Sequence, residues 1–217
     1  MTPELIEIAI STFVTLFVVI DPIGVAPMVG ALTGGAPLAY QRRMAIKGTV
    51  VGAAVLFLFA LLGDNLMRAL GIGMPAFKTA GGVLLFMIAL EMVSEKRTKR
   101  REKRADQVEA EMDLTPEHDD DISVFPIGVP FIAGPGSIAT VMLLMSANQG
   151  HELAQGVILG TLAATLVLSL LIIMAGTWVL AKMGNTITMV ITRIMGIILA
   201  ALAAQFVFDG VKGAFGI

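Results

Sequence analysis

Asp21-Pro22-Ile23-Gly24 and, in the other half of the chain, Gly134-Pro135-Gly136-Ser137 each interrupt a long apolar stretch near its middle. Their reading decides the fold. Proline 22 lacks a backbone N–H and opposes continuation of a preceding helix, while Asp is a favoured N-cap and Pro a favoured first helical residue. Both quartets therefore read as places where one helix stops and another starts. In lipid, backbone groups freed by such a break must find partners inside the protein. Interrupted helices occurring once per half are the sequence mark of a membrane carrier's central site.

Working outward, the surroundings are those of a membrane protein. Of 217 residues, 56% are apolar and only 15% charged, and the mean hydropathy is +0.86. Charge-free runs cover Ile8 to Ile20, Pro22 to Gln41, Gly48 to Gly63, Ile122 to Gly150, Leu153 to Ala181 and Ile194 to Phe208. A hydrocarbon core of ~30 Å needs ~20 mostly apolar helical residues. Six spans are expected, near 5–30, 45–64, 72–93, 122–147, 154–181 and 191–211. The third is the least apolar, with Lys78 and Glu91 expected near opposite interfaces. The fold class is thus all-α and polytopic, with helices 1 and 4 broken.

Of the fifteen Lys and Arg residues, twelve fall in or beside the odd-numbered loops: Arg42, Arg43, Lys47, the seven between Lys96 and Arg104, Lys182 and Arg193. Arg68, Lys78 and Lys212 lie on the other side. The positive-inside rule makes the odd loops cytoplasmic and turns both termini outward. Trp178 and Tyr40 fall where interfacial aromatic anchors are expected. The N-terminus, with Glu4 and Glu7, has no basic region of the kind that opens a cleavable signal peptide.

The loop 94–121 is basic from Lys96 to Arg104 and acidic from Asp106 to Asp121, a topology anchor followed by a solvated linker. It separates residues 1–93 from 122–217. An offset of 113 puts Asp21-Pro22 on Gly134-Pro135, and one of 115 puts Lys78 on Arg193 and Gly81 on Gly196. A rival offset of 104 puts Pro22-Ile23-Gly24-Val25 on Pro126-Ile127-Gly128-Val129. With three spans per half, the second half must enter from the opposite side, giving two inverted three-helix repeats. Gly48 with Gly52, and Gly156 with Gly160, are spaced for close helix packing.

Asp21 is the only Asp, Glu, Lys, Arg or His between Glu7 and Arg42. It either caps the restarted helix, binds a coupling H⁺ or Na⁺, or contacts solute. The restarted helices offer N-terminal N–H groups that suit a carboxylate. The expected solute and ion site is Asp21, Pro22, Gly24, Gly134, Pro135, Gly136, Ser137 and Thr140, with Ser11, Thr12 and Thr15 as further hydroxyls. Thr161, Thr165 and Ser169 share one helix face and either line a pathway with Thr15, Glu91 and Gln205 or join helices. Hydroxyls in helices also bond back to their own backbone. Cysteine is absent, His118 and His151 lie in separate loops, and no phosphate-binding loop is present. Neither metal, resident cofactor, nucleic acid nor an enzyme is expected. The expected partners are the bilayer and a small solute, with a homo-oligomer left open.

Phe17-Val18-Val19-Ile20-Asp21-Pro22-Ile23-Gly24 with Pro27, Pro130 with Ala133-Gly134-Pro135-Gly136-Ser137-Ile138, Ala80-Gly81-Gly82, and Arg193-Ile194-Met195-Gly196 with Gln205-Phe206 together resemble the MarC-type integral membrane proteins, grouped with six-span neutral amino acid transporters. The resemblance implies a bacterial inner-membrane location and uptake or exchange of small neutral amino acids such as glycine and alanine, coupled to H⁺ or Na⁺. Val25 stands where the family commonly has Asn, which removes an amide ligand. A passive channel and a non-transporting scaffold that recruits a partner through the charged loop are the alternatives.

Overall fold

The structure, a computed structural model, describes residues 2–33, 36–94, 103 and 122–216, the side chains of 177–186 excepted. The loop 94–121, apart from Ser94 and Lys103, and Trp178 and Lys182 therefore lie outside what is described. Seven helical elements follow one another: α1 (Pro3–Ile20), α2 (Pro22–Leu32), α3 (Leu38–Ala69), α4 (Met74–Val93), α5 (Ser123–Ile132), α6 (Pro135–Ala147) and α7 (Glu152–Phe215). No strand occurs among the described residues.

Among the described residues these elements supply five candidate membrane spans, or six if the bent pair α5 and α6 counts as one. Pro3–Leu32, Leu38–Ala69, Met74–Val93, Glu152–Gly176 and Ile187–Phe215 are each long and apolar enough to span a membrane, the last two both within α7. The sixth crossing is the pair α5 and α6, bent by 54° at its break. The expected spans are thus present, with the fourth reshaped. In α5 the hydrogen bonding is of the wide, π type, and Phe125 and Val129 leave helical geometry altogether. The cause is local: Pro126 and Pro130, four residues apart, remove two consecutive rungs of donors.

Contacts fix the directions. Val19 of α1 lies beside Gly136 of α6, while Ser11 and Thr12 share a cavity wall with Leu144 and Asn148, so α1 and α6 are antiparallel. Gly136 also meets Leu85 and Ile88, and Gly81 meets Leu143, which makes α4 antiparallel to α6. α3 runs with the second crossing pair: a methyl group on Gly52 would stand 2.9 Å from Ile132 Cβ, and one on Gly63 2.7 Å from Met142 Cγ. At the far end Gln149 Nε2 donates to Asp64 Oδ2. The first span of α7 runs with α1, because Glu152 and Ala154 line one cavity with Glu4 and Leu5 whereas Thr161 and Ala164 line another with Ile10 and Phe13. Its second span opposes α4, with Gly196 against Met92 and Gly210 against Thr79. The two ends of the chain, Thr2 and Phe215, therefore lie on one face of the bundle.

Packing here is between helices that lipid would wet equally well, so close backbone approach and steric fit matter more than burial from water. Gly48, Gly52, Gly63, Gly81, Gly82 and Gly196 all lie against neighbouring helices with no room for a side chain. Gly156 and Gly160 do not: nothing among the described residues lies within 4 Å of where their side chains would begin. The expected close packing of that second glycine pair is thus corrected, and Gly160 lines a shallow apolar groove between α1 and α7. Outside, Leu58, Leu61, Leu62, Val167, Leu171, Ile194 and Ile197 are each more than half exposed, an apolar belt suited to acyl chains.

Candidate functional site

The first break is built around one residue. Asp21 is the only non-glycine residue with positive φ among the described residues (φ 55°, ψ 61°), a conformation that Asp tolerates better than most. Its N–H donates to Phe17 O at 2.9 Å and closes α1, and its Oδ1 accepts from Gly24 N at 3.1 Å and opens α2. One aspartate is therefore both the last cap of one half-helix and the first cap of the next. It is 2% exposed, and Pro22 and Gly24 are buried with it. Gly24 is obligatory for this geometry, because a methyl group there would stand 2.9 Å from Asp21 Cγ.

The second break is made differently. Gly134 is extended (φ −79°, ψ 167°) and heads α6 with no side-chain cap, Pro135 occupying the first turn. Ile138 N bonds Gly134 O at 3.0 Å. A methyl group on Gly134 would lie 2.8 Å from Pro130 O, so the doubly kinked α5 and the head of α6 are in close contact. Gly136, Ser137 and Thr140 are all buried, Ser137 at 2% and Thr140 at 0% exposure. The second break lies beside the end of α1: a methyl group on Gly136 would stand 3.3 Å from Val19 Cγ1, two residues before Asp21. The head of α2 is buried at Asp21 and Pro22, whereas α6 starts at a half-buried Gly134 and an exposed Pro135; the two half-helices lead away in opposite senses, α2 toward one face and α6 toward the other.

The remaining hydroxyls divide cleanly. Thr15 Oγ1 donates to Ser11 O at 2.7 Å, Thr165 Oγ1 to Thr161 O at 2.8 Å and Ser169 Oγ to Thr165 O at 2.7 Å. These groups bond back along their own helices. Thr12 Oγ1, Thr140 Oγ1 and Ser146 Oγ are buried with no hydrogen-bond partner among the described residues. A helical Thr or Ser normally has its own helix to fall back on, so Thr12 and Thr140 stand out on facing helices. Thr161 is half-buried on the α1–α7 groove.

Glu91 and Gln205 lie on α4 and α7. Glu91 is half-buried in the last turn of α4. Gln205 is exposed and its Nε2 donates to Asp209 Oδ1 at 2.8 Å, one turn along the same helix. That exposed pair satisfies the Gln205 amide within α7. Sequence reasoning passed over Val19, which lies beside Gly136, and Asn148, which lines a cavity; an apolar residue and a loop amide carry no chemical flag. No group of three or more His, Asp or Glu side chains able to hold a metal ion occurs among the described residues.

Comparison with known proteins gives a consistent result. Residues 6–215 match the family described as MarC family integral membrane protein. The chain is 33% identical to a UPF0056 membrane protein of Methanocaldococcus jannaschii over 98% of its own length and 90% of the relative's. It is 36% identical to a UPF0056 membrane protein of Aquifex aeolicus (94% and 92% covered) and 33% identical to one of Bacillus subtilis (95% of each). No solved structure matches.

Proposed function

Because the chain belongs to the MarC family of integral membrane proteins, we propose that it is a secondary carrier of small neutral amino acids, of the size of glycine or alanine, driven by H⁺ or Na⁺ across a bacterial inner membrane. The observation that carries this reading is the approach of the second break, at Gly136, to the end of α1 at Val19, two residues before the buried Asp21. The residues assign unequal roles. The head of α2 is already occupied by the Asp21 carboxylate, whereas the head of α6 has no side-chain cap. A solute carboxylate belongs at the head of α6, where the N–H groups of Gly136 and Ser137 and about half a positive charge suit an anion. The solute ammonium belongs on the Asp21 side. Glycine at positions 24, 134 and 136 keeps the space small.

The two halves run antiparallel through their broken crossings, the arrangement that inverted repeats would produce and that alternating access employs. The face carrying Arg42, Arg43, Lys47 and Arg193 is the cytoplasmic one by the positive-inside rule, which leaves both termini outside. In the structure Asp21, Ser137 and Thr140 are each at most 2% exposed, whereas Gly134 is half-buried and Pro135 exposed. The test is uptake of radiolabelled glycine and alanine by the purified protein in liposomes under imposed H⁺ and Na⁺ gradients. Saturable accumulation that Asp21→Asn uncouples from the gradient is expected. Flux no greater than in empty liposomes would overturn the carrier reading, and flux that never saturates or accumulates would make the protein a passive channel. Deleting residues 99–117 leaves a carrier working and disables a scaffold.

A further inference from the structure

On the face that carries both termini, a cavity of about 330 Å³ opens at the end of the α1–α6 seam, lined by Glu4, Glu7, Ser11, Thr12 and Asn148. A second cavity of about 330 Å³ shares Glu4 and Asn148 with it and adds His151 and Glu152. Glu4, Glu7, Glu152 and His151 are the titratable groups around this space, and no Lys or Arg lines either cavity. Two further facts make it more than an acidic rim. Thr12 is 1% exposed, lines the first cavity, and its hydroxyl has no partner among the described residues. Along the same antiparallel seam, Val19 lies opposite Gly136 and Thr12 shares a wall with Leu144, which sets Thr140 at a level between them. Thr140 Oγ1 is likewise buried and unpartnered.

Leaving two buried hydroxyls unsatisfied on facing helices is unfavourable unless something else meets them. Their chemistry is that of oxygen donors, and the mouth above them is lined by carboxylates. The geometry points to an access vestibule for a small monovalent cation, either Na⁺ or a primary ammonium: it is gathered at Glu4 and Glu7, passes Thr12, and reaches the Asp21 break by way of Thr140. Carboxylates at the mouth of a low-dielectric cleft focus the field and raise the local cation concentration. Hard cations take such oxygen ligands, and beyond the rim the path offers the neutral hydroxyls of Thr12 and Thr140 rather than the several carboxylates a divalent ion gathers. Asn148 Nδ2 is engaged by Leu144 O at 3.0 Å, which leaves the Asn148 side-chain oxygen as its remaining acceptor.

This inference rests on the carrier reading for its purpose but not for its test, which requires no transport. The chain has no cysteine, so a thiol can be placed at will. In purified Thr12→Cys, the cationic reagent methanethiosulfonate-ethylammonium should react faster than the anionic ethylsulfonate by about tenfold more than with a free thiol in solution, the range expected for a focused field. Glu4→Gln with Glu7→Gln should erase that excess. Protection by Na⁺ but not methylammonium assigns the vestibule to the metal ion, and the reverse assigns it to an ammonium. Equal normalised rates with no protection by either cation would overturn the proposal. Should Thr12→Cys fail to fold, Ser11→Cys, at the exposed rim of the same cavity, gives the same comparison.

Discussion

Gly24 N donates a 3.1 Å hydrogen bond to Asp21 Oδ1, and the same glycine leaves no room for a methyl group, which would stand 2.9 Å from Asp21 Cγ. The carboxylate is thus gripped by the first turn of the helix it caps. Gly24→Ala should push it off that turn. Loss of the cap alone costs about 1 kcal/mol, and a displaced buried carboxylate adds to this. A lowered thermal midpoint of the detergent-solubilised variant, together with impaired uptake, is the expected result.

Asp21→Asn and Asp21→Ala should separate structure from coupling. Asparagine tolerates the left-handed conformation and its oxygen can accept from Gly24 N, so its stability should stay within about 1 kcal/mol of the parent. Alanine loses the cap and gains the left-handed penalty, together about 2–3 kcal/mol. Thermal unfolding ranks the two variants. Parent-like coupling in the stable asparagine variant would remove Asp21 from the ion mechanism and leave it a structural cap.

Glycines of like appearance should respond in opposite ways. A methyl group at Gly82 meets Ala203 O and Val207 N at 2.8 Å each, backbone atoms that cannot yield cheaply, so Gly82→Ala should destabilise by about 1–3 kcal/mol. At Gly160 nothing among the described residues is near. There alanine should be neutral, or stabilising by up to about 1 kcal/mol through helix propensity. Unfolding curves of the two variants in one detergent decide the matter.

The hydroxyls make a further contrast. Thr165 bonds only to its own helix, so Thr165→Val should leave transport within about twofold, a fraction of a kcal/mol. Thr140 is buried with its hydroxyl unmet, so Thr140→Val should hold or raise stability while lowering transport by about tenfold, or about 1.4 kcal/mol. A loss of stability that parallels the loss of flux would make Thr140 a packing residue instead.

The breaks were legible because their chemistry is local. Asp21 before Pro22, and Gly134 before Pro135, announce helix restarts whatever surrounds them, and the structure begins α2 and α6 at those prolines. What surrounds them is non-local and was less readable. Pro126-Ile127-Gly128-Val129 looks like an echo of the first break, but in the structure Pro126 and Pro130 jointly convert ten residues into a π-type, twice-interrupted segment. A glycine pair signals close packing only when a helix lies opposite: Ile127 and Ile132 lie against Gly48 and Gly52, and nothing described lies against Gly156 and Gly160. Gln205 looks like an intramembrane polar ligand, but Asp209, one turn on, accepts its amide hydrogen bond. Which threonines lack partners depends on rotamers set by neighbouring helices, and no spacing reveals that.

The central claim is that the two breaks frame one solute site reached in turn from each face. Ser137, 2% exposed at the head of α6, tests it most directly, because the cysteine-free chain allows a single Ser137→Cys thiol to report access. Membrane-impermeant thiol reagent is supplied on one side of the liposome and then on the other, with and without saturating glycine or alanine. The account predicts modification from both sides, slowed by solute. Modification from one side only, or from both at a rate that solute never changes, would contradict it.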